Sequence, residues 1–173
     1  LACADGGVCA VGDIGPGGGV VFYVQSSGGT FACGATLAST CRYLEAAPTT
    51  GTNNWTDARY AWSGNWTTLV GTATAIGTGH KNTEAIVTQS GGGTTAGKAG
   101  TIARAYRGPN NLSDWYLPSK DELTNLSIEK ARIGGFSDGE YWSSSEKDTF
   151  GTWYVDFNTS TSLDASKNLA LFV

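Results

Sequence analysis

The chain has 173 residues, 25 of them Gly, and Gly, Thr and Ser fill about a third of it, yet six Trp, seven Tyr and six Phe in a sequence 40% hydrophobic and 15% charged exclude a disordered linker. A net charge of −4 and a pI near 4.8 exclude a nucleic-acid partner, which needs a basic face. No run of about 18 apolar residues is present to span a membrane. Residues 1–173 therefore read as one folded domain with its own core. The chain contains no Met and begins at Leu1, which reads as a processed product or a piece of a longer protein.

In chain order, Cys3 and Cys9 come first, and Cys33 and Cys41 form a second close pair. Neither spacing is that of a zinc site, and the chain has one His. Four cysteines allow three disulfide pairings, of which the local one, Cys3–Cys9 with Cys33–Cys41, is expected, against four free buried thiols. Each bridge would close a short loop worth about 2–3 kcal/mol and implies an oxidising compartment. Residues 1–18 read as loop, and GVVFYV (19–24) as a buried strand after the Gly15–Gly19 run. Residues 26–41 read as a stapled loop, 42–46 as a short strand ended by Pro48, and 49–80 as a long polar loop with Trp55, Trp62 and Trp66.

A short helix is expected over 81–89, capped by Asn82 or Thr83 and broken by Gly91–Gly93. A second follows within 94–108, stopped by Gly108 and Pro109. Trp115–Leu117 reads as a strand. Ser119, with Glu122 three residues on, forms a capping box for a helix to about 130 whose apolar stripe is Leu123, Leu126 and Ile128. Strands are expected at 141–145, 152–157 and 168–173, with Trp115, Trp142 and Trp153 in the core. Strand, helices, then a cluster of strands is the α+β class, with small antiparallel sheets, two or three short helices and long loops.

GDIGPGGGVVFYV (12–24), LEAAP (44–48), AIGTGHKNTEAI (75–86), ARAYRG (103–108), DWYLPSKDEL (114–123), GGF (134–136), YWSSSE (141–146) and WYVDF (153–157) share the order and spacing of one bacterial family. In these motifs the chain resembles the Lcl C-terminal domain-like family, named for the C-terminal domain of a collagen-like bacterial adhesin, from about residue 11 to 173. The resemblance implies a C-type lectin-like fold and adhesion or ligand binding at the ends of secreted or surface-exposed proteins. Family members end in an Arg-Pro-Val-Arg-type strand where this chain has Leu171-Phe172-Val173, so the last strand is expected to be cut short.

Chemistry is sparsely represented. Residues 92–99 approach a phosphate-binding loop, but Ala99 stands where magnesium needs a hydroxyl. His80 has no evident nucleophile partner and reads as a surface residue in a Thr/Gly loop, so no catalytic residue is assigned and no enzyme activity is expected. No cofactor is assigned. Calcium is the one ion considered, from loop carboxylates such as Asp138, Glu140, Glu146, Asp148 and Asp164, although none fits a twelve-residue calcium loop. Trp55, Trp62 and Trp66, beside Asn53, Asn54, Ser63 and Asn65, suit a sugar or protein ligand, because aromatic faces next to amides match both. The candidate ligand-binding set is thus Trp55, Trp62, Trp66, Asp138, Glu140 and Asp148, and the expected function is an extracellular or cell-surface binding module for a glycan or a surface protein. The alternative is an assembly domain, a tip, cap or oligomerising unit of a filament, stalk or phage fibre.

Overall fold

The computed structural model describes residues 1–89 and 96–173. The expected Gly91–Gly93 break and residues 92–95 of the near-phosphate loop lie outside the described residues. The chain is of the α+β class. Strand β1 (Val20–Val24) pairs antiparallel with β4 (Tyr43–Ala46), and β2 (Phe31–Cys33) pairs with β3 (Ser39–Cys41). Three helices follow β5 (Arg59–Ala61): α1 (Gly79–Thr88), α2 (Ala99–Ala105) and α3 (Lys120–Ile133). A larger sheet has the order β5-β9-β6-β7-β8, with β6 Glu140–Glu146, β7 Gly151–Asp156, β8 Thr161–Ser166 and β9 Ala170–Phe172.

Strand β6 is central and buried almost throughout because both faces of its sheet are covered. On one face Tyr141 and Val155 meet Phe22, Leu44, Leu123 and Leu126 of the β1–β4 ribbon and α3. On the other, Trp142 and Leu171 meet Trp62, Ile86, Ala99, Ala103 and Leu117. Consecutive residues of a strand point to opposite faces, so Tyr141 and Trp142 anchor separate cores. The run Ser143-Ser144-Ser145 is fully buried and hydrogen-bonded. Ser143 Oγ donates to Trp153 O at 2.7 Å, Ser144 Oγ accepts from Asn82, and Ser145 Oγ donates to Ala73 O at 2.7 Å. Small polar residues let the 63–78 loop approach β6 while satisfying its backbone.

Both local disulfides are present, Cys3–Cys9 and Cys33–Cys41. The second staples the β2–β3 hairpin, which lies inside a segment expected to be loop. Strand β5 also lies inside an expected loop and forms by pairing with the distant β9, Arg59 opposite Phe172 and Ala61 opposite Ala170. The sheets are not wholly antiparallel, since β9 meets β6 through one parallel pair, Tyr141 with Phe172. The ladder stops there because β6 turns its backbone elsewhere: Ser143 O accepts from the Trp62 indole and Ser144 N–H donates to Pro118 O.

Three further expectations are corrected. Helix α1 begins at Gly79, so Asn82 and Thr83 lie inside it, their polar groups spent on Ala73 and on Gly79 and Leu117. Residues 115–117 form no strand; the Leu117 backbone bonds the Thr83 hydroxyl instead of a ladder partner. Ile128 is 63% exposed, because the buried side of α3 runs through Leu123, Leu126 and Ser127. The Ser119–Glu122 capping box forms as expected. Among the described residues no helix is long and apolar enough to cross a membrane.

Candidate functional site

Between the β1–β4 ribbon, the 47–57 loop, the end of α2, the start of α3 and β6 lies a cavity of about 120 Å³. Its fully buried floor includes Leu117, Glu122, Leu123 and Trp142. Its rim is half-buried and includes Thr49, Trp55, Asp57, Tyr106 and Trp115. Three rings stand edge to face along it: Trp55 on Tyr106 at 5.1 Å, and Tyr106 on Trp115 at 5.2 Å. The rim is braced by its own backbone. Tyr106 Oη donates to Asn53 O at 2.6 Å, and the Trp55 indole N–H donates to Val173 O at 2.7 Å. Gly108 is required beneath Trp115 twice over, since its φ is +63° and a Cβ would strike the indole. The Trp115 Nε1–H is buried and has no acceptor among the described residues.

Three carboxylates line the cavity, each held by backbone N–H groups. Glu45 accepts from Gly17 N at 3.1 Å and Gly19 N at 2.9 Å, and burial raises its pKa against those bonds. A Cβ on Gly15 would collide with the same carboxyl, so the glycine run folds around this side chain. Glu122 accepts from Ser119 N and Gly77 N, both at 2.7 Å, and more weakly from Gly79 N. Complete burial nevertheless pushes its pKa up to about 7. Asp57 accepts from Ser137 N at 3.0 Å and from the Tyr141 hydroxyl, whose pKa rises through burial and then through Asp57.

The residues singled out in the sequence do not converge. Trp55 stands in the cavity. Trp62 is fully buried, its indole donating to Ser143 O at 2.8 Å, so as a core residue it has no face left for a ligand. Trp66 is 42% exposed and away from the cavity lining. Asp138 is exposed before β6, and Glu140 opens that strand opposite Asp156. Asp148 closes the β6–β7 turn, accepting from Phe150 N at 2.9 Å and Gly151 N at 2.8 Å, bonds that lower its pKa. Among the described residues no three His, Cys, Asp or Glu side chains converge to hold a metal ion.

Other positions differ from their sequence reading. Trp115 lines the cavity instead of the core, and half-buried Trp153 carries the Lys120 ammonium 4.2 Å over its ring. His80 is half-buried rather than a surface residue, stacked on Tyr116 at 5.4 Å, and burial followed by Arg104 lowers its pKa. Glu45, Asp57, Tyr106 and Trp115 are the site residues that sequence reasoning missed. One signal was available, a lone charge inside the apolar strand Tyr43–Ala46. No protein-family model matches the chain, and no curated protein matches it in sequence.

Proposed function

We propose that this chain is an extracellular, non-catalytic binding domain that recognises a glycan or a surface protein, with the Trp55–Tyr106–Trp115 cavity as its recognition site. One observation carries this reading: an aromatic-edged cavity with an apolar floor and a few fixed polar groups, the usual constitution of a ligand site. Its carboxylates are tied to backbone N–H groups, an arrangement that fixes the shape of the site. Two disulfides fit an oxidising location. The resemblance to the Lcl C-terminal domain-like family, with its C-type lectin-like fold, points the same way.

Arrays of glycans and of immobilised surface proteins, probed with and without calcium, test the reading. Trp55→Ala is expected to weaken binding tenfold or more while Trp66→Ala leaves it unchanged. Binding insensitive to Trp55→Ala contradicts the assignment. A second reading, an assembly domain, is favoured by the exposed apolar side chains Trp66, Leu69, Phe150, Leu163 and Leu169. A stable oligomer by light scattering that dissociates on Phe150→Ser would replace the first reading with this one.

A further inference from the structure

Resting on that reading of the cavity, we propose that its occupant is a lysine side chain presented by a protein partner. The lining contains Glu45, Asp57 and Glu122 and no Lys, Arg or His. The ion pairs of the described residues use Glu84, Glu129, Glu146 and Asp164 instead, so these three carboxylates face no base. Asp114 adds negative potential at Glu45. The hydrogen-bonding inventory agrees. A carboxylate offers about four acceptor positions, and those of Glu45 and Asp57 are only partly used, by two partners each. Beside the unpaired Trp115 indole N–H, the lining thus keeps open acceptor positions on Glu45 and Asp57, and the group that complements these carboxylates is a donor. An ammonium offers three donors, and the faces of Trp55, Tyr106 and Trp115 attract it further.

Size and placement narrow the choice. A volume of about 120 Å³ is below the roughly 150 Å³ of a cavity that takes benzene, which suits the single aliphatic stem of a protein side chain better than a whole sugar ring with its hydroxyls. Leu117, Leu123 and Ala46 supply apolar walls for such a stem. The carboxylates come from β4, the 47–57 loop and α3 rather than forming one planar fork, which suits a compact, rotatable ammonium over a guanidinium.

The test is a titration of the protein at pH 7.5 and low salt with the peptide acetyl-Gly-Lys-Gly-amide. Its counterpart with norleucine in place of lysine and free n-butylammonium are run alongside, following the indole N–H resonances. The lysine peptide is expected to bind at least tenfold more tightly than the norleucine peptide and to shift Trp55 and Trp115. That preference should fall below threefold in 0.5 M salt, and likewise in Asp57→Asn and in Glu45→Gln. Equal binding of the two peptides at Trp55 and Trp115 overturns the lysine assignment while leaving the cavity as a binding site. Binding of n-butylammonium alone overturns the protein partner. No shift at either indole with any probe removes the cavity reading as well.

Discussion

Glu122 caps α3, braces the Gly77–Gly79 turn and closes the floor of the cavity, all from complete burial. Its folded pKa, about 7, lies above the ordinary 4.5, so the native state holds the proton more tightly than the unfolded chain. Its stabilising contribution is complete below about pH 4.5 and is lost as pH rises through 7. Glu45 acts in the same direction. The denaturant midpoint is therefore expected to fall between pH 5 and 7.5. Glu122 accounts for about 2 kcal/mol of the stability lost over that range, and Glu122→Gln should flatten the fall. A slope unchanged in Glu122→Gln contradicts the assignment.

Glu146 and Lys167 make a second prediction at this scale. Their ion pair, at 2.6 Å, is buried, and Glu146 also accepts from Val70 N and Gly71 N. Lys167→Met leaves that carboxylate without its cation and is expected to cost about 3–5 kcal/mol. Replacing both residues by apolar ones does not restore stability here, because two loop N–H groups lose their acceptor. Urea unfolding of the single and double variants measures both effects.

Among the elements, the glycine run 15–19 and strand β4 form one device, in which Glu45 is wrapped by backbone that only glycine allows so close. Gly15→Ala puts a methyl on the Glu45 carboxyl and is expected to cost about 1–3 kcal/mol, with displaced Gly17 and Gly19 amide resonances as the marker. Ser119→Ala removes the hydroxyl that caps Glu122 N–H and bonds Ala75 O, and should cost about 1–2 kcal/mol by urea unfolding. The α3 start was legible because Ser-x-x-Glu is a local code, β1 because its apolar run is uninterrupted, and β4 and β7 because apolar residues dominate them despite Glu45 and Asp156. Strands β2, β3 and β5 were not, being three residues each and fixed by a disulfide or by a distant strand.

Across the whole molecule, two cores on opposite faces of β6 and a ribbon held by α3 leave the cavity where five segments meet. That explains why the candidate site was mostly illegible in sequence. Trp55, Tyr106 and Trp115 are 51 and 9 residues apart and share no motif; only the fold brings them edge to face. Trp62 misled because a polar loop sequence surrounds it, while its ring passes under β6 into the second core. The claim that this cavity is the recognition surface is tested most directly by nitrogen–proton correlation spectra of the six Trp indoles, recorded with a binding partner identified on the arrays. The account predicts shifts at Trp55 and Trp115 with Trp62, which lies outside the cavity lining, unmoved; shifts confined to Trp66, or to none of the six, would contradict it.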